Sequence, residues 1–309
     1  MPSEKLAVYW QSWSSAWTAS PDGMDLVAKL DPRIGVVYIC FAQAANMNYS
    51  RGRNSFSGTG LQFSQDFWVV KSAIAKLKAR GVVVMLSVGG ASYPFTKDSA
   101  NICGCADLAL DLGCSGIDID WEPADPGRDS WQFGHIIEAF RNALWDGAKL
   151  SAAVWSTGAH PVSDGGYSGM NISGLKSNGG MLDWINIMAY DAGTGYDAVD
   201  ACRRYRSIYS GPLYLGFCIG QQGWGGALLS EKNVSDGLAY LTYDAPRNGI
   251  FIWSYQKDPG GTPTVMRILD LAQSAFNNTP TPAPPPSPTE TGCKLSCPNC
   301  GYKQSISSR

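Results

Sequence analysis

Along this chain, short apolar runs rich in Val, Ile, Tyr and Trp alternate with stretches of helical period. "LAVYWQSW" (6–13) predicts a strand, "MDLVAKL" (24–30) a short helix, and "IGVVYICFA" (34–42) a second strand. After a polar loop rich in Gly and Asn, "DFWVVKSAIAKLKARG" (66–81) places apolar residues at helical spacing and ends on Gly, a helix with a stop signal. The alternation continues through strands at 82–90, 116–122, 150–155, 182–191, 213–219 and 249–255. Helices are predicted at 106–113, 131–145, 198–209, 234–243 and 264–276. Eight strands, nearly all followed by a helix, imply parallel strands joined by crossovers. That count suits a closed (β/α)8 TIM barrel of the α/β class better than a doubly wound open sheet.

The pattern breaks at "NNTPTPAPPPSPTETG" (277–292), where proline excludes helix and favours extended polyproline II. The predicted organisation is a barrel over 1–278, a Pro/Thr-rich linker over 279–292 and a Cys-containing tail over 293–309. Cys293, Cys297 and Cys300 supply three ligands, one short of a structural zinc site. They suit the start of a module that continues further.

Composition narrows the function classes. The chain has 309 residues, 44% hydrophobic and only 16% charged, with a formal net charge of −2. No basic surplus points to nucleic acid or an anionic membrane, and no apolar run reaches transmembrane length. "MPSEKLAVYW" enters a strand almost at once, so no signal peptide is expected within the chain. Sequons at Asn48, Asn171, Asn233 and Asn277, with the low charge and eleven Trp, favour a mature secreted protein. Nine cysteines allow a free thiol and give no pairing.

Against that sparse charge, "GIDIDWEP" (116–123) stands out, with Asp118, Asp120 and Glu122 at every second position. Alternate residues of a strand share a face, so the acids share one side while Ile117, Ile119 and Trp121 take the other. In a barrel the acids then project inward and climb towards the C-terminal mouth, where barrel enzymes place their sites. Carboxylates this close do not all ionise cheaply; a proton is shared and the outermost pKa rises, which suits a general acid. Pairing with lysines is the bland alternative, and a Mg²⁺ or Ca²⁺ cluster the other. The long same-face spacing scatters such ligands, and neither His135 nor His160 is placed to complete a metal site or a triad. No cofactor is expected.

"SGIDIDWE" (115–122) resembles the DxxDxDxE signature of glycoside hydrolase family 18, the chitinase family. "SVGG" (87–90) is similar to its third-strand SxGG element, and "MAYD" (188–191) to its sixth-strand MxYD element. Trp253 of "FIWSY" stands where the family places its eighth-strand tryptophan. The likeness covers about residues 5 to 277 in order, with one departure: Ser115 replaces the first Asp. Its parity and its distance from the mouth suggest an altered hydrogen bond or pKa, with the acid Glu122 intact.

The resemblance implies substrate-assisted, retaining hydrolysis of β-1,4-linked N-acetylglucosamine polymers. It implies Glu122 as acid then base, Asp120 orienting the acetamide N–H, and Asp118 sharing a proton with Asp120. It further implies a hydroxyl contact from Tyr190 to the acetamide carbonyl and Trp253 beneath the sugar, with Asp191 and Met188 supporting the pocket. Gly89 and Gly90 are expected to relieve crowding at the barrel wall. Tyr9, Trp10, Phe41 and Trp224 are candidates to extend the stacking floor. Chitin or its oligosaccharides are the expected partners of a monomer, with no nucleic acid or membrane. A lectin-like binder and an endo-β-N-acetylglucosaminidase acting on N-glycans remain alternatives. The short stretch after Asp191 leaves no room for an inserted lid, so an open cleft is expected.

Overall fold

A computed structural model of the protein describes residues 2–223, 225–244 and 247–278. The linker and cysteine tail expected over 279–309, and Trp224, lie outside the described residues. Eight parallel strands close into a barrel in sequence order, β1 pairing with β8. They are β1 (Ser3–Gln11), β2 (Ile34–Ala42), β3 (Val83–Gly89), β4 (Gly116–Asp120), β5 (Lys149–Trp155), β6 (Trp184–Met188), β7 (Leu213–Cys218) and β8 (Gly249–Trp253). The crossovers carry helices α1 (Asp25–Ala28), α2 (Phe67–Ala79), α3 (Ile102–Leu112), α4 (Pro126–Asp129), α5 (Gln132–Ala143), α6 (Ile172–Asn178), α7 (Ala198–Arg206) and α8 (Glu231–Asp244). Helix α9 (Val265–Asn277) follows β8. The (β/α)8 barrel is therefore the fold.

Local chemistry sets the ends of these elements. Asn101 opens α3, its side chain accepting from Gly104 N at 2.9 Å, and Gly113 closes it in the left-handed region at φ 79°. That cap explains why α3 begins at Ile102 rather than at the predicted Ala106. Strand β1 starts earlier than its apolar run, because Ser3 N donates to Arg33 O at 2.9 Å. It ends at Gln11, where Ser12–Ser14 turns as a short 3₁₀ segment. Helix α6 has no counterpart in the apolar pattern. It packs on α5 so closely that a Cβ on Gly174 would stand 2.7 Å from the Phe133 ring, and the glycine that permits this interrupts the helical period.

One face of each strand fills the barrel and the other meets the helices. Ile117, Ile119 and Trp121 lie among the helices, Trp121 stacking on Phe133 at 5.7 Å and donating its indole N–H to Phe95 O at 2.9 Å. Packing inside is close: Gly216 of β7 lies level with Phe251 of β8, and a Cβ on it would fall 2.3 Å from the Phe251 ring. The connections 189–197 and 219–230 that follow β6 and β7 carry no helix or strand among the described residues.

Candidate active site

Register brings the acids to the axis. Asp118 lies level with Ser87 of β3 and Ser151 of β5, and Asp120 with Gly89 and Ala153. Asp118 is fully buried and receives four hydrogen bonds: Tyr9 Oη at 2.7 Å and Ser87 Oγ at 2.9 Å on Oδ2, and Ser151 Oγ at 2.7 Å and Asn186 Nδ2 at 2.9 Å on Oδ1. A carboxylate has about four acceptor positions, so these donors fill it. Among the described residues no direct hydrogen bond joins Asp118 to Asp120; neutral donors occupy both oxygens of Asp118.

Asp120 lies next towards the mouth, 4% exposed, and its Oδ1 has no hydrogen-bond partner among the described residues. Burial pushes its pKa well above the usual carboxylate range, and the negative charges of Glu122 and Asp118 add to the rise. Burial also raises Asp118, but hydrogen bonds from Ser151, Tyr9, Ser87 and Asn186 oppose that rise. Geometry points the same way: four donors favour the charged form of Asp118, and none reaches Oδ1 of Asp120.

Glu122 follows the end of β4, half-buried at the groove wall. Burial raises its pKa to about 7, the Ala91 N–H pulls it down and the charge of Asp191 pushes it up. A carboxyl poised near neutrality can give and take a proton within one cycle.

The glycines expected at the wall have a definite task. Gly89 has φ 112°, and a Cβ there would stand 2.1 Å from the Asp120 carbonyl oxygen. Gly90, at φ 78°, donates its N–H to that oxygen at 2.8 Å. Two residues without side chains thus let β3 close against the backbone that carries Asp120.

Above the acids lies a groove of about 390 Å³. Tyr9, Phe41, Asp120, Glu122, Met188, Tyr190, Asp191 and Trp253 all line it, so these eight anticipated residues converge and Asp118 supports them from below. The aromatic floor is continuous. Trp253 lies 5.6 Å from Phe41 and 5.8 Å from Tyr9, between ring centroids, and Trp13 extends it from Phe41 at 6.2 Å. Tyr190 and Asp191 follow β6 on a loop, beyond the strand expected there. Asp191 takes a positive φ of 57°, its N–H donating to Gln222 Oε1 at 2.7 Å.

Some expectations changed. Trp10 is on the outer face, stacked on Tyr255 at 5.4 Å and absent from the groove. Ser115 stays clear of the acids: its hydroxyl accepts from Val84 N at 3.3 Å, at the opposite end of β4 from Glu122. The Asn171 sequon is buried, its Oδ1 accepting from Trp155 N at 3.2 Å and Tyr205 Oη at 2.9 Å, whereas Asn48, Asn233 and Asn277 are exposed. Among the described residues, the cysteines Cys40, Cys103, Cys105, Cys114, Cys202 and Cys218 are free thiols.

Sequence reasoning missed Trp155, Trp13, Gln62 and Tyr93, which also line the groove. Trp155 ends β5 on the inward parity of Ser151, a signal that strand alternation contained. Gln62 and Tyr93 sit in loops, where no period marks them.

The sequence model of Glycosyl hydrolases family 18 matches residues 5–252, most of the described barrel. The chain belongs to glycosyl hydrolases family 18. Among curated relatives, it is 32% identical over 162 residues to Chitinase 1 of Aphanocladium album, covering 45% of this chain and 34% of that protein. It is 26% identical over 212 residues to Endochitinase 1 of Metarhizium robertsii, covering 60% of this chain and 47% of that one. The family 18 chain thus spans less than half the length of these relatives. In three dimensions it resembles a GH18 chitinase from Pseudoalteromonas aurantia, with a TM-score of 0.63 at 19% identity over 87% of this chain and 99% of that one. A fungal family 18 endo-beta-N-acetylglucosaminidase gives 0.62 at 16% identity, over 88% and 96%. At such identities the likeness speaks for the shared barrel alone.

Proposed function

We propose that this family 18 protein hydrolyses β-1,4-linked N-acetylglucosamine polymers with retention, using the substrate's own acetamido group as nucleophile. The observation that carries this reading is the buried, unpartnered Oδ1 of Asp120, set under an aromatic-lined groove beside Glu122. A buried polar atom without a partner is costly, and a ligand that brings an N–H to it removes that cost. The 2-acetamido group of N-acetylglucosamine has such an N–H next to the anomeric carbon.

In the proposed reaction, the Glu122 carboxyl gives its proton to the glycosidic oxygen as that bond to the anomeric carbon breaks. The acetamido carbonyl oxygen attacks the same carbon and closes an oxazolinium ring. Asp120 accepts the acetamide N–H on its unpartnered Oδ1, while the Tyr190 hydroxyl donates to the acetamide oxygen. Glu122, now a carboxylate, takes a proton from water, whose oxygen opens the ring on the face the leaving group left. Two inversions give net retention. Trp253 supports the sugar ring, and Phe41, Trp13 and Trp155 continue the apolar surface along the groove.

Three further parts of the reading are proposed with it. The protein acts as a monomer, and its extracellular location is supported by the exposed sequons and sparse charge. Residues 279–292 form a proline-rich linker to the cysteine tail, supported by composition.

Incubation with a chitin oligosaccharide tests the reading. The unmodified protein is expected to release shorter products whose first-formed anomer is β, and Glu122→Gln to bind without cleaving. Binding without products from the unmodified protein would instead identify a lectin. Cleavage of a high-mannose glycopeptide but not chitin would identify an endo-β-N-acetylglucosaminidase.

A further inference from the structure

A chain of buried hydrogen bonds runs from the base of the barrel to Asp118. Trp184, the first residue of β6, donates Nε1–H to Tyr38 Oη at 2.7 Å. Tyr38, midway along β2, donates its hydroxyl to Asn186 Oδ1 at 3.0 Å. Asn186 Nδ2 then donates to Asp118 Oδ1 at 2.9 Å. All four side chains are at most 5% exposed, so no bulk water substitutes for a missing partner.

The direction of this chain is fixed at its first residue. Indole N–H is a donor only, so Trp184 obliges the Tyr38 oxygen to accept. The single hydroxyl proton of Tyr38 is then free to point at Asn186. An amide has a donor end and an acceptor end of nearly the same shape, and its orientation follows its partners. With Tyr38 donating, the oxygen of Asn186 must face Tyr38 and the NH₂ must face Asp118. Three dipoles consequently point the same way, each polarising the next towards the carboxylate.

We propose that Trp184 is a positioning residue for the acid cluster: through Tyr38 and Asn186 it sets the direction of a hydrogen-bond chain that holds Asp118 as a fixed anion beneath Asp120. The role this gives Asp118 in hydrolysis rests on the function proposed above; the chain itself does not. A fixed anion keeps the cluster's proton on Asp120, on the groove side, where it can serve Glu122 and the substrate. The titratable groups facing Asp118 are Tyr9 from β1, Tyr38 and Cys40 from β2, and Asp120 on β4 itself. Burial drives Tyr9, Tyr38 and Cys40 upward, so they stay neutral and donate or stand by without competing for the negative charge.

The test follows the carbon-13 shift of the Asp118 carboxyl with pH in the full chain, assigned by its loss in Asp118→Asn, together with the pH profile of oligosaccharide hydrolysis. Trp184→Phe keeps the ring and removes the donor. Tyr38→Phe cuts the next link. Each is expected to raise the apparent Asp118 pKa by about half a unit. In hydrolysis each should lower kcat several-fold with KM little changed, and move the alkaline limb to higher pH as the cluster holds its protons more tightly. Tyr214→Phe is the control at the same depth. Tyr214 stacks on Trp184 at 5.6 Å, but its hydroxyl donates to Glu4 O, off the chain, and both readouts should stay put. If Trp184→Phe does not fold, Trp184→His, which retains a ring N–H, must keep the wild-type carboxyl pKa while Tyr38→Phe raises it. An unshifted Asp118 carboxyl in either chain-breaking variant overturns the proposal. An unmodified protein that cleaves no oligosaccharide overturns the proposed function instead, and the carboxyl titration still decides the chain.

Discussion

Glu122→Gln should make the protein more stable at alkaline pH. The Glu122 carboxyl has a pKa of about 7 in the folded chain against an ordinary 4.5, chiefly because it is buried. A raised folded-state pKa means that the native state binds its proton more tightly than the unfolded state does. The stability from that proton is complete below pH 4.5 and is lost as pH rises through about 7. The difference of 2.5 units corresponds to about 3.5 kcal/mol at roughly 1.4 kcal/mol per unit. Water in the open groove screens part of it, leaving about 2 kcal/mol. Gln keeps the shape of the side chain and never ionises. Urea unfolding of both proteins at pH 4, 6 and 8 is the assay: near-equal stability is expected at pH 4, with the variant ahead by about 2 kcal/mol at pH 8. A gap that is the same at all three pH values would show that Glu122 carries no ionisation penalty. A variant less stable at pH 8 would refute the burial argument outright.

Three more outcomes are expected. Because the acid must carry its proton, kcat/KM for a chitin oligosaccharide should fall with a midpoint near pH 7, and a flat profile to pH 9 would remove Glu122 from that role. Gly89→Ala, which puts a methyl 2.1 Å from the Asp120 carbonyl at φ 112°, should cost about 2 kcal/mol or more in thermal unfolding and displace Asp120, lowering kcat beyond the stability loss. Ser115→Asp, which restores the family's first acid, should change kcat/KM by about twofold at most and leave the pH profile in place, since Ser115 bonds Val84 N and none of the cluster.

Much of this site could be read from one strand. Parity along β4 separates Asp118 and Asp120 from Ile117, Ile119 and Trp121, and burial on both faces follows from the barrel. Trp253 and Met188 were legible through the resemblance to the family's strand-end motifs, and both end their strands at the groove. What the sequence concealed lies between elements far apart in the chain. The donors on Asp118 come from β1, β3, β5 and β6, and nothing in the residues around Tyr9 or Asn186 says that they meet. Trp10 was misplaced as a floor candidate because being near a strand end does not reveal which face is inward unless parity is counted. Asn171 reads as an exposed acceptor only while its neighbour Trp155 is read as an ordinary strand end.

That buried asparagine sets folding against modification. Asn171 has its side chain locked behind the rim of β5, bonded to Trp155 and Tyr205. An oligosaccharide attached there during synthesis would have to occupy the space those partners fill. A host that glycosylates nascent chains should therefore yield two populations: molecules that matured bare at this sequon, and decorated molecules retained as misfolded.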